Sequence, residues 1–304
     1  MNQLISIVGP TAVGKTQLSL FLARQLQTEI ISTDSRQIYQ GMDIGTAKPS
    51  LEELHQAPHH FINHLSPEVD YNAGIFEKEA DALIKQLFHQ HRHLITVGGS
   101  TLYINALWNG IDPMPKISHE IRNQLRREWE AAGLGPLLEE LAKVDPETFD
   151  KIDRQNPVRI LRALEVYRTC GTPISVFRKN RKLKSTHYQL IKIGLQEERA
   201  QLYERINQRV DQMFEEGLIA EVEGLLSAGI SREVNSMQSI GYREVVQYLN
   251  HQHSLEEAKR LVKRNSRRYA KRQMTWFRRD KDIKWFKAGQ KEEVLQWLVS
   301  QAPN

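Results

Sequence analysis

The octapeptide Gly9-Pro10-Thr11-Ala12-Val13-Gly14-Lys15-Thr16 has the spacing G-x-x-x-x-G-K-T. It follows the apolar run Leu4-Ile5-Ser6-Ile7-Val8 and precedes a segment that puts Leu18, Phe21, Leu22 and Leu26 on one helical face. Glycines at this spacing let successive backbone N–H groups converge on a polyphosphate at a helix N-terminus. Lys15 adds a point charge there, and the Thr16 hydroxyl can hold Mg²⁺. Gly9 to Thr16 is therefore read as the cradle of a polyphosphate.

In a parallel α/β sheet, ligands gather beyond the carboxyl ends of the strands, so the residues just after each apolar run are the next candidates. Asp34-Ser35-Arg36-Gln37 follows Glu29 to Thr33, and Gly98-Gly99-Ser100-Thr101 follows Leu94 to Val97. Asp34 has three readings of equal weight on this pattern: a Walker-B-like acid that holds Mg²⁺, a general base that takes a proton from an attacking acceptor, or a helix N-cap. Asp43-Ile44-Gly45-Thr46-Ala47-Lys48-Pro49 brings a flexible glycine, a hydroxyl and a lysine to the same edge, with Lys48 expected in solvent. Pro58-His59-His60 lacks the spaced partners that a metal site requires.

The elements that must position these groups alternate in a βαβ rhythm. Strands are expected at Leu4 to Val8, Glu29 to Thr33, Leu94 to Val97 and Tyr188 to Leu195, with helices at Lys15 to Gln27 and Phe76 to Gln90. Ile111 to Lys116 reads as a linker into a helical stretch with Ile121, Leu125 and Trp129 at one spacing and Leu161, Leu164 and Tyr167 at another. That stretch ends in the basic run Arg178 to Lys184. Another helical stretch runs from Glu197 to about Leu226, turned near Gly217, and the last clear helix starts at a capping box of Ser254 and Glu257 and runs toward Arg279. The expected fold class is α/β: a P-loop NTPase-like core, its parallel sheet flanked by helices, from residues 1–110 and 188–304, with a helical insertion at 111–187.

The 304 residues carry a net charge of +5, which is modest, so its distribution matters more than its total. Arg260, Lys263, Arg264, Arg267, Arg268, Lys271 and Arg272 cover about half the wheel of the last helix, opposite Val262, Tyr269 and Trp276. Acidic partners are scarce from Lys259 to Arg279, so a phosphate backbone is the favoured counterpart, and nucleic acid the favoured partner. The single cysteine, Cys170, excludes an intramolecular disulfide and reads as a small packed hydrophobe. With no signal-like start and no apolar run long enough to span a bilayer, a cytoplasmic monomer with no membrane partner is expected.

The set GPTAVGKT, DSRQIY, DIGTAKP, PHHFIN, VGGSTLY, NPVRILRALEVY, SIGYRE and YAKRQMTWFRR closely resembles the bacterial tRNA dimethylallyltransferases, in order, from Gly9 to Arg279. The resemblance implies transfer of a dimethylallyl group from dimethylallyl diphosphate to the exocyclic N6 amine of the adenosine 3′-adjacent to the anticodon in tRNA. It implies that Gly9 to Thr16 hold diphosphate, that Mg²⁺ sits at Thr16, and that Thr11, Lys15, Asp34 and Ser100 carry the chemistry, with Asp34 as base. It further implies contacts to the tRNA anticodon stem-loop from Asp34, Ser35, Arg36, Gln37, Ser100, Arg122, Gln155, Asn156, Pro157, Val158 and Arg159. Gln238, Ser239, Ile240, Gly241, Tyr242, Arg243, Lys271, Arg272, Gln273, Met274, Thr275, Trp276, Phe277 and Arg278 complete that set. Ser100 departs from the family's usual threonine but keeps a hydroxyl, Asn63 stands where an acidic residue is common, and Arg205 and Arg209 are candidates to reach the diphosphate. The rival readings are a P-loop kinase acting from ATP on a small acceptor, an RNA-binding ATPase, and a prenyltransferase acting on free adenylate.

Overall fold

The computed structural model describes residues 1–112, 114–179 and 187–301. Two compact units are present, Met1–Trp108 with Ser185–Asn304, and Asn109–Lys184. The chain enters the first unit through β1 (Asn2–Val8), α1 (Lys15–Leu26), β2 (Ile30–Ser32), α2 (Leu51–Leu54), β3 (His59–His60), α3 (Ala73–Leu87), β4 (His93–Gly98) and α4 (Thr101–Asn109). The second unit holds α5 (His119–Ala132), α6 (Gly135–Val144), α7 (Pro146–Lys151), α8 (Pro157–Cys170) and α9 (Ile174–Lys179). The chain returns to the first unit as β5 (Tyr188–Gln196), α10 (Arg199–Glu215), α11 (Leu218–Ser227), α12 (Tyr242–Leu249), α13 (Leu255–Phe277), β6 (Lys284–Lys287) and α14 (Lys291–Ser300).

All described strands join one parallel sheet in the order β3-β2-β4-β1-β5-β6. β1 lies between β4 and β5, with Leu4 level with Leu94 on one side and Leu190 on the other. Residues Gln3 to Val8 of this strand are all buried, as expected where helices cover both faces of a sheet. Leu18, Leu22 and Ala23 of α1 pack into the cluster containing Ile5, Ile7 and Ile193, while Phe76, Ala80 and Ile84 of α3 pack with Leu4 and Leu94 in another.

Most expected elements are present, with ends shifted where a cap acts. α3 begins at Ala73 because the Asn72 side chain accepts from the N–H groups of Gly74 and Ile75. Gly217, at φ 102°, separates α10 from α11. At the head of α13 only half of the expected capping box forms: Ser254 accepts from the Glu257 N–H, while the Glu257 carboxylate pairs with Arg260. β3, β6, α12 and α14 were not expected; β6 adds Trp285 and Phe286 beside β5 as the sheet's last strand.

The helical unit has its own core, in which Leu125, Leu137, Leu141, Ile160, Ala163 and Leu164 are buried. On α8 the inward stripe centres on Ile160, Ala163, Leu164 and Val166, so Leu161 and Tyr167 are only half-buried. Cys170 is exposed, which corrects the expectation of a packed thiol; it lies on the last turn of α8, before the Gly171 cap, and its Sγ faces the Val166 carbonyl at 3.2 Å. Pro113 of the expected linker and the basic run from Asn180 onward lie outside the described residues.

Candidate active site

Beyond Val8 the backbone leaves the sheet as a loop that only unusual conformations can close. Gly9 has φ 150°, and a Cβ there would come within 2.6 Å of the Leu195 carbonyl oxygen, so no larger residue fits. Ala12 at φ 63° and Gly14 at φ 98° occupy left-handed conformations, which curl the loop into a concave turn leading to the first N–H groups of α1. Thr11 to Thr16 line a cavity of about 750 Å³, bounded also by Asp34, Gln37, Thr46, Ala47, Lys48, Arg205, Arg209, Tyr269 and Gln273. All of these belong to the first unit.

Two cations of this cavity, Lys15 and Arg209, form no ion pair with a described carboxylate. Lys15 Nζ donates to the carbonyls of Gly9 and Pro10, at 3.0 and 2.7 Å. Arg209 donates to the Thr11 hydroxyl and to the Ala47 carbonyl, both at 3.3 Å. Desolvation, with Arg209 alongside and only partly offset by Asp34, pulls the Lys15 ammonium down to about 7. Arg209 is also shifted down, chiefly by desolvation. Two adjoining cations served mainly by neutral oxygens form a site prepared for an anion. Arg205 also lines the cavity but pairs with Glu197 at 3.1 Å.

Asp34 divides its two oxygens. Oδ1 accepts from the backbone N–H groups of Arg36 and Gln37, at 2.8 and 3.4 Å, which is the turn-capping role. Oδ2 makes no hydrogen bond among the described residues, and Asp34 lines the cavity, so a proton acceptor remains available. Ser100 is buried and braces this turn: its Oγ accepts from the Ser35 N–H at 2.8 Å and donates to the Ser35 hydroxyl at 3.0 Å. Tyr269 donates to the Gly99 carbonyl, and desolvation, with Asp34 nearby, pushes its hydroxyl up to about 12.

The loop from Asp43 to Lys48 is held from three sides. The Glu221 carboxylate of α11 accepts from the N–H groups of Asp43, Ile44 and Gly45, at 2.9, 2.7 and 3.1 Å, and from the hydroxyl of Tyr242 at 2.5 Å. Gln37 Nε2 donates to the carbonyls of Thr46 and Ala47. Lys48, expected in solvent, is instead 3% exposed in its side chain and donates to the Tyr39 carbonyl, Asp43 and Asn63. Gly45 must lack a side chain, because a Cβ would strike the Tyr242 ring and Leu218. Glu221 escaped the sequence reading because nothing in its neighbours shows which distant amides its carboxylate will meet.

The residues expected to meet RNA fall into three groups. On the first unit Lys271, Arg272, Thr275 and Arg278 are exposed along one side of α13, with Arg268 and Arg279 on the same stretch, and none of the arginines or the lysine pairs with a described carboxylate. On the helical unit Gln155, Val158 and Arg159 are exposed around the start of α8, where Asn156 caps and Pro157 opens the helix, and Arg122 is partly exposed 3.9 Å from Glu165. The third group is a correction: Tyr242, Gln273 and Phe277 are 0%, 2% and 0% exposed, so these side chains lie inside the unit and present no surface to a partner. Phe277 packs with Val8, Ile104, Trp108 and Ile283, and Trp276 and Met274 are half-buried.

Besides Arg260, which pairs with Glu257, two more members of the expected basic face are engaged inside the unit. Lys263 pairs with Asp211 at 2.6 Å and Arg267 donates to Asn207 at 2.5 Å, both on α10. Arg36 reaches Asn235, the Gly241 N–H and Arg243 both donate to the buried Glu244, Gln238 donates to the Arg232 carbonyl, and Ser239 donates to the Ser236 carbonyl. Ile240 is half-buried. Thr16 lines the cavity from the first turn of α1, and no group of three His, Cys, Asp or Glu among the described residues could hold a metal. A hard ion that draws most of its oxygens from a bound diphosphate fits such a wall.

Comparison with known proteins gives one consistent result. The profile of a family described as IPP transferase matches residues 37–280. A protein of Geotalea uraniireducens named tRNA dimethylallyltransferase 2 is 47% identical over 283 residues, which is 93% of this chain and 91% of that protein. The crystal structure of a full-length tRNA isopentenylpyrophosphate transferase from Bacillus halodurans superposes with a TM-score of 0.73 at 39% identity, covering 99% of this chain and 96% of the other. A eukaryotic dimethylallyltransferase, crystallised in snapshots of its action on tRNA, superposes with a TM-score of 0.82 at 26% identity, covering 100% of this chain and 81% of that one.

Proposed function

The chain belongs to the IPP transferase family, and on that premise we propose that it transfers the dimethylallyl group of dimethylallyl diphosphate to N6 of the adenosine 3′-adjacent to the anticodon of tRNA, releasing diphosphate. The observation that carries this reading is the pairing, in one cavity, of Lys15 and Arg209, served by neutral oxygens, with an Asp34 oxygen that has no hydrogen-bond partner among the described residues.

The diphosphate lies in the phosphate loop, met by the N–H groups leading into α1, by Lys15 and by Arg209. Ile44, Leu54, Ile62 and Met213 give the cavity an apolar side for the five-carbon chain. The adenine is taken out of the anticodon-loop stack, at a cost of about a few kcal/mol that protein contacts offset. Its N6 lone pair forms the new N–C bond as the allylic C–O bond breaks, and the bond electrons leave on the diphosphate. The N6 proton passes to Oδ2 of Asp34, whose Oδ1 keeps the carboxylate in place by holding the Arg36 and Gln37 amides. Lys15 and Arg209 stabilise the charge that grows on the leaving oxygen. The Thr16 hydroxyl would hold Mg²⁺ together with the diphosphate oxygens, and the ion would neutralise part of their charge.

The test is label transfer. Purified protein with Mg²⁺ and dimethylallyl diphosphate labelled in the prenyl group is expected to label unmodified tRNA at one adenosine. Labelling of free AMP alone, or cleavage of the ATP γ-phosphate with no affinity for the five-carbon donor, overturns the reading.

A further inference from the structure

We propose that Gln273 is a positioning residue that holds the phosphate loop and the Gly98-Gly99-Ser100 turn in register, and that it makes no contact with RNA; this rests on the transfer reaction proposed above. Gln273 sits on the basic helix α13 among exposed cations, yet it is 2% exposed. Its Oε1 accepts from the Thr11 N–H at 2.9 Å, and its Nε2 donates to the Gly99 carbonyl at 2.8 Å. A donor on one side and an acceptor on the other fix the amide in a single orientation.

The place of this bridge gives it its purpose. β1 and β4 run side by side, and Val8 level with Gly98 is their last paired position. Beyond it the two chains part, one into the diphosphate cradle and the other into the turn that carries Ser100. Gln273 joins them just past the last rung of the ladder. Ser100 in turn holds the Ser35 N–H, next to Asp34. A shift of the Gly99 chain relative to Thr11 therefore moves the proton acceptor relative to the leaving group.

Gln273 suits this bridge better than its near neighbours. A glutamate keeps the Thr11 bond but sets a carboxylate oxygen against the Gly99 carbonyl, and a leucine strands the Thr11 N–H and leaves the Gly99 carbonyl only the longer bond from Tyr269. Gly99 reports the same constraint from the other side, because a Cβ there would fall on Gln273 Nε2. Gly99→Ala thus disturbs the bridge without altering α13.

The experiment is single-turnover transfer of labelled prenyl by the full-length enzyme, at saturating donor and tRNA. It compares wild type, Gln273→Glu, Gln273→Leu, Gly99→Ala and the double variant Gln273→Glu with Gly99→Ala. Failure of the wild type to transfer refutes the proposed function and not this inference. With transfer established, each single variant is expected to lower the rate constant by about 10- to 100-fold, the scale of a misplacement near 1 Å. The active fraction read from the amplitude and the tRNA affinity are expected to stay within about twofold. The double variant is expected to be no slower than the slower single variant, since both break one bridge. Three results each overturn the inference: weaker tRNA binding with an unchanged saturated rate constant, a fallen amplitude with a preserved rate constant, or losses that multiply in the double variant.

Discussion

Arg168 in the helical unit and the pair Lys15 and Arg209 in the sheet unit show two uses of a cation that is not fully exposed. Arg168 is surrounded by acid: it donates to both oxygens of Glu128 at 2.8 Å and to Glu140 at 2.9 and 2.5 Å. These bonds tie α8 to α5 and α6, and they raise the guanidinium further above its ordinary range. Lys15 and Arg209 instead meet carbonyls and a hydroxyl, and both are shifted down. A cation neutralised within the fold builds structure, whereas one left with neutral oxygens is kept for an anion from outside.

The largest effect that tests this contrast is loss of chemistry at the cradle. Lys15→Met is expected to lower the single-turnover rate constant by about 10²- to 10³-fold, and Arg209→Met by about 10²-fold, the range found when one electrostatic stabiliser of a transition state is removed. Neither should lower the melting temperature, because each removes a poorly solvated charge. Arg168→Met is expected to do the reverse. It leaves Glu128 and Glu140 facing each other and should cost about 2 kcal/mol of stability by denaturant titration, with the rate constant at saturating tRNA within about twofold of wild type. Equal stability losses at Lys15 and Arg168 would erase the distinction.

The acidity of Lys15 sharpens the contrast further. Its proton is released near pH 7 in the folded chain and near 10.5 in the unfolded one, so between those values the unfolded chain binds more protons. The stability contribution of this group therefore rises with pH across that window and is flat below it. A bound diphosphate favours the charged form, so at pH 8 the lysine must take up a proton as the ligand enters. Titration calorimetry of inorganic diphosphate in buffers of different ionisation heat is expected to show uptake of about one proton by the wild type and almost none by Lys15→Met. Equal uptake by both proteins would place the proton elsewhere.

The parts of this site that follow from local chain chemistry were readable in the sequence. The phosphate loop, the strand before it and Asp34 just past β2 all follow from short-range rules: glycine spacing, apolar runs and the fixed place of ligands at strand ends. Contacts made by distant partners were not readable. Glu221 reaches the amides of residues 43–45 from 176 to 178 positions away, and Gln273 reaches Thr11 from 262. Lys48 looked like any loop lysine until the fold brought Tyr39, Asp43 and Asn63 around it. β6 escaped because KWFK is short and half polar, as suits a strand at the sheet's edge. The even basic stripe drawn on α13 divides once α10 supplies Asp211 and Asn207.

That division gives the smallest expected effect. Arg268 and Lys271 are exposed and pair with no described carboxylate, while Arg260 and Lys263, on the same helix, already pair with Glu257 and Asp211. If exposed cations displace counterions from an RNA backbone, Arg268→Gln with Lys271→Gln should reduce the slope of log affinity against log salt by about 1 to 2, roughly 0.7 to 0.9 per phosphate contact. Arg260→Gln with Lys263→Gln removes the same formal charge and should leave the slope almost unchanged, because those charges already face the carboxylates of Glu257 and Asp211. Equal slopes for the two pairs would mean that total charge, and not which charges are already paired, governs how this helix meets RNA.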